Sequence, residues 1–320
     1  MPTREAAVPL SEKLLIKRVR RATTAPVERP GRGIGDDCAV LAIPHGHEAL
    51  LTTDFSLEGV HFRREWHPPD SVGHRCLARG LSDIAAMGGI PRAAFLSLAL
   101  PAELPQEWVD RFVAGLLKLA TRFSLRLAGG DTAQSPNGVL ADIVVLGSVP
   151  AGRAVLRSGA RAGDFVYVTG TLGAAMADLN RLRDGEKLRP RSHLKHFYPE
   201  PRLAVGQFLR EKKLASAMID ISDGLSTDLG HICEESKTGA MIYAESLPAI
   251  PGKDALTFAL HGGDEYELLF TARPNRRIPK QIAGVAVTRI GEIARGKQMK
   301  LVSTNGKKEV LQPAGWEHFA

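Results

Sequence analysis

Short apolar runs of strand type alternate with stretches of helical period along the chain, and nearly every such run delivers a turn of glycine, aspartate and hydroxyl residues. That mixture predicts an α/β or α+β fold. Strands are expected at 38–43, 49–53, 93–100, 125–128, 139–149, 164–169, 217–221, 240–244 and 266–272. Helices are expected at 10–22, with Ser11 as cap, at 71–87, from 174, at 202–211 and at 225–235. A further helix opens at Pro105, and its stripe Trp108, Phe112, Leu116, Leu119 and Phe123 reads as core packing. Two short strands, 298–303 and 308–311, flank Asn305-Gly306, a strong hairpin signal. The 320 residues suit two domains, and the polar, glycine-rich stretch 150–162 predicts their boundary, giving 1–150 and 151–320.

Composition narrows the function. A hydrophobic fraction of 44% and a charged fraction of 24% are those of a globular chain. The net charge of +7 sits in scattered clusters without interleaved aromatics, so solvated faces are expected rather than a nucleic-acid surface. No apolar run approaches the ~20 residues of a membrane span, and no signal-peptide pattern opens the chain. Cys38, Cys76 and Cys233 form no CxxC, which argues against disulfides and structural zinc. A cytoplasmic protein is the expectation. Residues 184–201 read as a basic, proline-containing loop, its mobility left open.

The acidic turns carry the chemistry. They are Asp36-Asp37, Thr52-Thr53-Asp54, Ser82-Asp83, Gly129-Gly130-Asp131-Thr132, Asp220-Ile-Ser222-Asp223 and Gly262-Gly263-Asp264-Glu265. Singly, each reads as well as a turn former, or, for Ser222 and Asp223, as the cap of the next helix. As a set, hard oxygen donors at strand ends suit Mg²⁺ beside phosphate. No GxxxxGK[ST] loop, strand-GxGxxG-helix unit, HRD/DFG pair or GxSxG elbow is present, so phosphate chemistry here rests on carboxylate-held metal, backbone amides and basic side chains. His45 and His47, without a third ligand in view, read as surface residues.

The order Gly33-Ile-Gly-Asp-Asp-Cys38, Thr53-Asp54 with His61-Phe62, Leu81-Ser-Asp-Ile-Ala-Ala-Met-Gly88, Gly129-Gly-Asp-Thr132, Arg157-Ser-Gly159, Asp220-Ile-Ser-Asp-Gly-Leu225, Gly262-Gly263-x-x-Tyr266-Glu-Leu268 and Gly315-Trp-Glu-His-Phe319 resembles that of thiamine-monophosphate kinases, in the superfamily of aminoimidazole ribonucleotide synthetase. The resemblance implies an N-terminal mixed sheet with helices, a C-terminal α/β domain and a homodimer. It implies transfer of the γ-phosphoryl of ATP to thiamine monophosphate. Asp37, Thr52, Thr53, Asp54, Asp83, Asp131, Asp220 and Asp223 then match magnesium ligands, and Gly130, Asp131, Arg157 and Ser222 match ATP contacts. His61, Asp264 and Trp316 match substrate positions, with Glu265 beside Asp264 offering a second carboxylate for one place. Asp54, Asp131 and Arg157 are the expected catalytic set. A phosphate monoester, with a second pKa near ~6, is already nucleophilic, which accords with many aspartates and no evident base. The rival readings are a sister ATP-using enzyme of the superfamily and a non-catalytic nucleotide- or metal-binding homologue.

Overall fold

The computed structural model describes residues 12–23, 34 and 38–319. The chain divides into two compact units, the first taking the described residues up to Gly80 together with Pro91–Ser148, the second taking Leu81–Ile90 and the chain from Val149 onward.

The first unit is built from α1 (Glu12–Thr23), β1 (His47–Leu57), most of α2 (Pro69–Ala86), β2 (Ile90–Leu100), α3 (Gln106–Arg122), β3 (Arg126–Gln134) and β4 (Leu140–Pro150), the end of α2 from Leu81 onward going with the second unit. Its sheet runs β1-β4-β2-β3, with β2 and β3 parallel. Ala141, Ile143 and Val145 alternate along β4 and are fully buried, as a half-covered strand requires. Phe112, Leu116 and Leu119 of α3 are buried with them, and Trp108 stacks on Phe112 at 5.6 Å. The α3 stripe is therefore core, as its spacing indicates.

The second unit follows with β5 (Phe165–Thr169), α4 (Ala174–Arg183), α5 (Leu194–Phe197), α6 (Leu203–Glu211), β6 (Ala217–Asp220), α7 (Leu225–Ser236), β7 (Gly239–Tyr243), α8 (Ala255–His261), β8 (Leu268–Ala272), β9 (Gln281–Ile282), β10 (Val285–Ala294), β11 (Met299–Val302) and β12 (Lys308–Val310). The sheet order is β12-β11-β7-β10-β5-β8-β6, with β9 paired to β10. Val166, Val168, Ile219, Ile242, Leu269 and Ile293 from the sheet and Leu225, Leu229 and Ile232 from α7 form its core.

Three expectations are corrected. Residues 38–43 form no strand: Cys38 and Val40 face outward, Val40 at 60% exposure, so the run lacks the burial that favours a strand. Strand β1 does not stop at Asp54 but runs on to Leu57. The Gly129-Gly130-Asp131-Thr132 stretch is not a turn; it continues β3, with a bulge where Ala94 pairs Leu127 and Phe95 pairs Gly129. Gly130, at φ +150°, lies so close to β2 that a Cβ would sit 1.8 Å from the Leu96 carbonyl oxygen, which explains the glycine inside a strand. The basic loop 184–201 holds a 3₁₀ turn and α5, anchored by buried His196 and Phe197. The helix expected at 10–22 begins, as described, at Glu12; Ser11 lies outside the described residues.

Candidate active site

The antiparallel pairing of Asp220 with Leu268 sets the acidic run after β6 beside the run that leads into β8. The ladder continues past the strand ends. Ile221 N–H donates to the Glu267 carbonyl at 2.8 Å, Tyr266 N–H to that of Ile221 at 2.9 Å and Asp264 N–H to that of Ser222 at 2.7 Å. From the C-terminal segment, Trp316 N–H donates to the Asp223 carbonyl at 2.9 Å, leaving its indole half exposed. Asp220 is buried and accepts from Ser82 Oγ at 2.6 Å, which fixes the last turn of α2, bearing half-buried Asp83, to the same place. Asp220, Ser222, Asp223, Asp264 and Trp316 thus share one corner of the second unit.

That corner is held from below by Asp228 of α7. Its Oδ2 accepts from the backbone N–H groups of Ser222, Asp223 and Gly224 at 3.2, 3.2 and 3.1 Å. Burial and the nearby Asp223 charge push its carboxyl up to about 7, against the opposing pull of those bonds. Gly224, not Ser222 or Asp223, stands at the helix N-cap. Asp223, Asp228 and His231 bring one ligand atom each within 4.8 Å of one another, the one such group among the described residues.

The two carboxylates after Gly262-Gly263 have separate fates. Glu265 is buried, its Oε1 accepting from Gly173 N–H at 2.8 Å and Ala175 N–H at 3.1 Å at the start of α4. Burial pushes its carboxyl up to about 7. Asp264 stays half-buried at the corner, in the left-handed region at φ +60°, and accepts from the buried Tyr266 hydroxyl at 2.5 Å. Glu267 is buried and takes Arg202 in two bonds at 2.6 and 2.7 Å, Thr169 Oγ1 at 2.6 Å and Lys195 Nζ. Burial alone would raise its carboxyl, but Arg202 and Lys195 hold it below the usual carboxylate range. Arg157 is exposed, its carbonyl accepting from Ser236 Oγ. Among the described residues no hydrogen bond joins it to the corner.

In the first unit, Thr52, Thr53 and Asp54 lie along β1, with Asp54 3.8 Å from Arg79. His61 closes the turn after β1, its Nδ1 accepting from Leu57 N–H at 3.0 Å. Gly130 and Asp131 lie on β3, where Asp131 Oδ1 accepts from Thr132 N–H at 2.8 Å. Since β4 and β2 separate β1 from β3, one copy of this sheet holds Asp54 and Asp131 on opposite edges, roughly 14 Å apart at ordinary strand spacing. Asp37 lies outside the described residues.

Asp228, Tyr266, Glu267 and their partners Lys195 and Arg202 were not assigned roles on sequence grounds. Glu267 carried a usable signal, a carboxylate directly ahead of the apolar run 268–270, where burial demands a cationic partner. Asp228 carried none, because an aspartate in the first turn of a helix is ordinary.

Comparison with known proteins places this architecture. Residues 35–149 match the family model "AIR synthase related protein, N-terminal domain" and residues 161–303 match "AIR synthase related protein, C-terminal domain", which defines the class as a two-domain AIR synthase related protein. The thiamine-monophosphate kinase of Salmonella typhimurium is 38% identical over 304 residues, covering 90% of this chain and 92% of that protein; the Bacillus subtilis kinase is 32% identical over 305 residues, covering 90% and 93%. This chain belongs to the thiamine-monophosphate kinase family. The crystal structure of the Stenotrophomonas maltophilia K279a kinase superposes with a TM-score of 0.81 at 35% identity, covering 96% of this chain and 100% of that one. AaThiL complexed with AMPPCP and TMP superposes at 0.77 with 32% identity, covering 100% and 99%. The hydrogenase maturation protein HypE in complex with ATP, at 18% identity and a TM-score of 0.78, covers 96% of this chain and 94% of that one and shares the fold alone.

Proposed function

We propose that this protein transfers the γ-phosphoryl of ATP to thiamine monophosphate, giving thiamine diphosphate and ADP. The observation that carries the reading is the 32–39% identity, over about nine-tenths of the chain, to thiamine-monophosphate kinases, together with the likeness to AaThiL complexed with AMPPCP and TMP. The site chemistry supports it. The residues expected to hold metal offer carboxylates and hydroxyls, the hard donors Mg²⁺ takes. Asp37, Thr52, Thr53, Asp54, Asp83, Asp131, Asp220 and Asp223 are the residues to hold it. Bound Mg²⁺ supplies neutralisation of charge between two polyanions.

The chain's own residues do the rest. Arg157 adds fixed positive charge beside the nucleotide, and Gly130 and Ser222 approach its phosphates with backbone and hydroxyl. At the acceptor, Trp316 presents an aromatic face to the cationic thiazolium, Asp264 accepts from the aminopyrimidine and His61 lines the substrate side. The acceptor phosphate needs no general base, since it is largely dianionic at neutral pH. Residues 1–150 act as the nucleotide and dimerisation domain, and 151–320 complete the site.

The protein works as a homodimer. Support comes from β1, an edge strand whose Leu51 and Phe55 are 68% and 54% exposed. Pairing β1 of one copy with β3 of its partner would bring Asp54 and Asp131 onto adjacent strands. No described helix is long and apolar enough to cross a membrane, in keeping with a cytoplasmic enzyme. The test is to incubate the protein with ATP, Mg²⁺ and either thiamine or thiamine monophosphate and separate the products. Thiamine diphosphate is expected from the monophosphate alone; no product from either acceptor would refute the reading.

A further inference from the structure

Every backbone group of the 221–224 turn that faces another part of the second unit is taken. The carbonyls of Ile221, Ser222 and Asp223 accept from Tyr266, Asp264 and Trp316. The N–H groups of Ser222, Asp223 and Gly224 all converge on one oxygen, Oδ2 of Asp228. Asp264 and Trp316 are thereby suspended from the same backbone that carries Ser222 and Asp223. A shift of that turn must move the residues on the nucleotide side and those on the acceptor side together. Asp228 is only 1% exposed, so it does not reach either ligand.

We propose that Asp228 is a positioning residue whose carboxylate oxygen sets the 222–224 backbone and, through it, orients both the ATP-side residue Ser222 and the acceptor-side residues Asp264 and Trp316. The inference rests on the functional reading above. Three converging N–H groups form a cradle that needs an acceptor at its centre, and Asp228 Oδ2 supplies it. Tyr266 completes the arrangement from the other side, its hydroxyl fixing the Asp264 carboxylate while its own N–H grips Ile221.

The test is binding calorimetry on the full chain with two probes, thiamine monophosphate without Mg²⁺ and a non-hydrolysable ATP analogue with Mg²⁺. Asp228→Ala is expected to weaken both by about tenfold or more, since misplacement by a fraction of an ångström is costly in such sites. Asp264→Ala is expected to weaken only thiamine monophosphate. Asp228→Asn, whose amide oxygen can still accept the three N–H groups, should restore both affinities to within about threefold of wild type. Each variant is compared at a temperature where its melt shows it folded, with Asp228→Ser as a second shortened side chain should the alanine chain not fold. Wild-type affinities in Asp228→Ala or Asp228→Ser would overturn the proposal. So would loss confined to the Mg²⁺-dependent probe, which would make Asp228 a metal ligand, or failure of Asp228→Asn to restore binding. If the wild-type chain itself does not bind thiamine monophosphate, the functional reading fails instead, and calorimetry of wild type separates the two cases.

Discussion

Glu265 and Glu267 lie two residues apart, both buried, in opposite electrostatic settings. Glu265 meets two N–H groups, burial outweighs the pull of the Lys195 charge, and its carboxyl rises from 4.5 to about 7. In the unfolded chain it releases its proton near 4.5, so between there and 7 the folded state binds more protons and stability falls as pH rises. The shift corresponds to about 3 kcal/mol lost by neutral pH. Glu265→Gln removes this slope: thermal unfolding should show the variant gaining on wild type between about pH 5 and about pH 8, and parallel profiles would contradict the assignment. Glu267 instead anchors Arg202 and Lys195. Glu267→Ala leaves those cations without their buried partner and should cost about 3–5 kcal/mol in urea unfolding. On sequence the two glutamates look alike; what separates them is the fold's delivery of α5 and α6 to one and the α4 N-terminus to the other, contacts made across more than sixty positions of chain.

The helices with strong 3.6-residue period, α2, α3, α6 and α7, lie where their spacing indicates, because burial of one apolar face decides them locally. Strand β10, which joins β5 and β7 in the second sheet, was not legible. Its register slips between Arg289 and Gly291, so Ile290 bulges and the alternation that would reveal a strand is broken. The turn at 305–306 does join β11 to β12, but the parallel pairing of β11 with β7 depends on contacts far along the chain. The acidic turns were visible as residues and invisible as a ladder, since nothing in 220–224 announces that 264, 266 and 316 will bond to it. Element packing gives its own prediction. Gly206 of α6 lies against the end of α2 so closely that a Cβ would meet the Ala85 carbonyl oxygen at 2.0 Å. Gly206→Ala should therefore push α6 from the turn that carries Ser82 and Asp83, costing about 1–3 kcal/mol and lowering Mg²⁺-dependent nucleotide binding; an unchanged melt and affinity would contradict it.

At the scale of the molecule, the order of the motifs along the chain identified the family, whereas the separation of Asp54 from Asp131 across one sheet became visible only with strand order in hand. On the proposed reading, a partner copy bridges that separation. Leu51→Glu with Phe55→Glu places charge on the exposed edge β1 and should convert a dimer to a monomer in sedimentation while abolishing turnover; an active monomer would contradict the shared-site account. Asp54→Asn should abolish turnover and leave the melt unchanged, and near-normal activity would remove that residue from the metal site. Direct transfer between phosphates is read by ³¹P NMR of the protein with ATP, Mg²⁺ and thiamine monophosphate. Thiamine diphosphate and ADP should appear one for one as ATP and the monophosphate disappear. Release of inorganic phosphate or AMP in their place would contradict it.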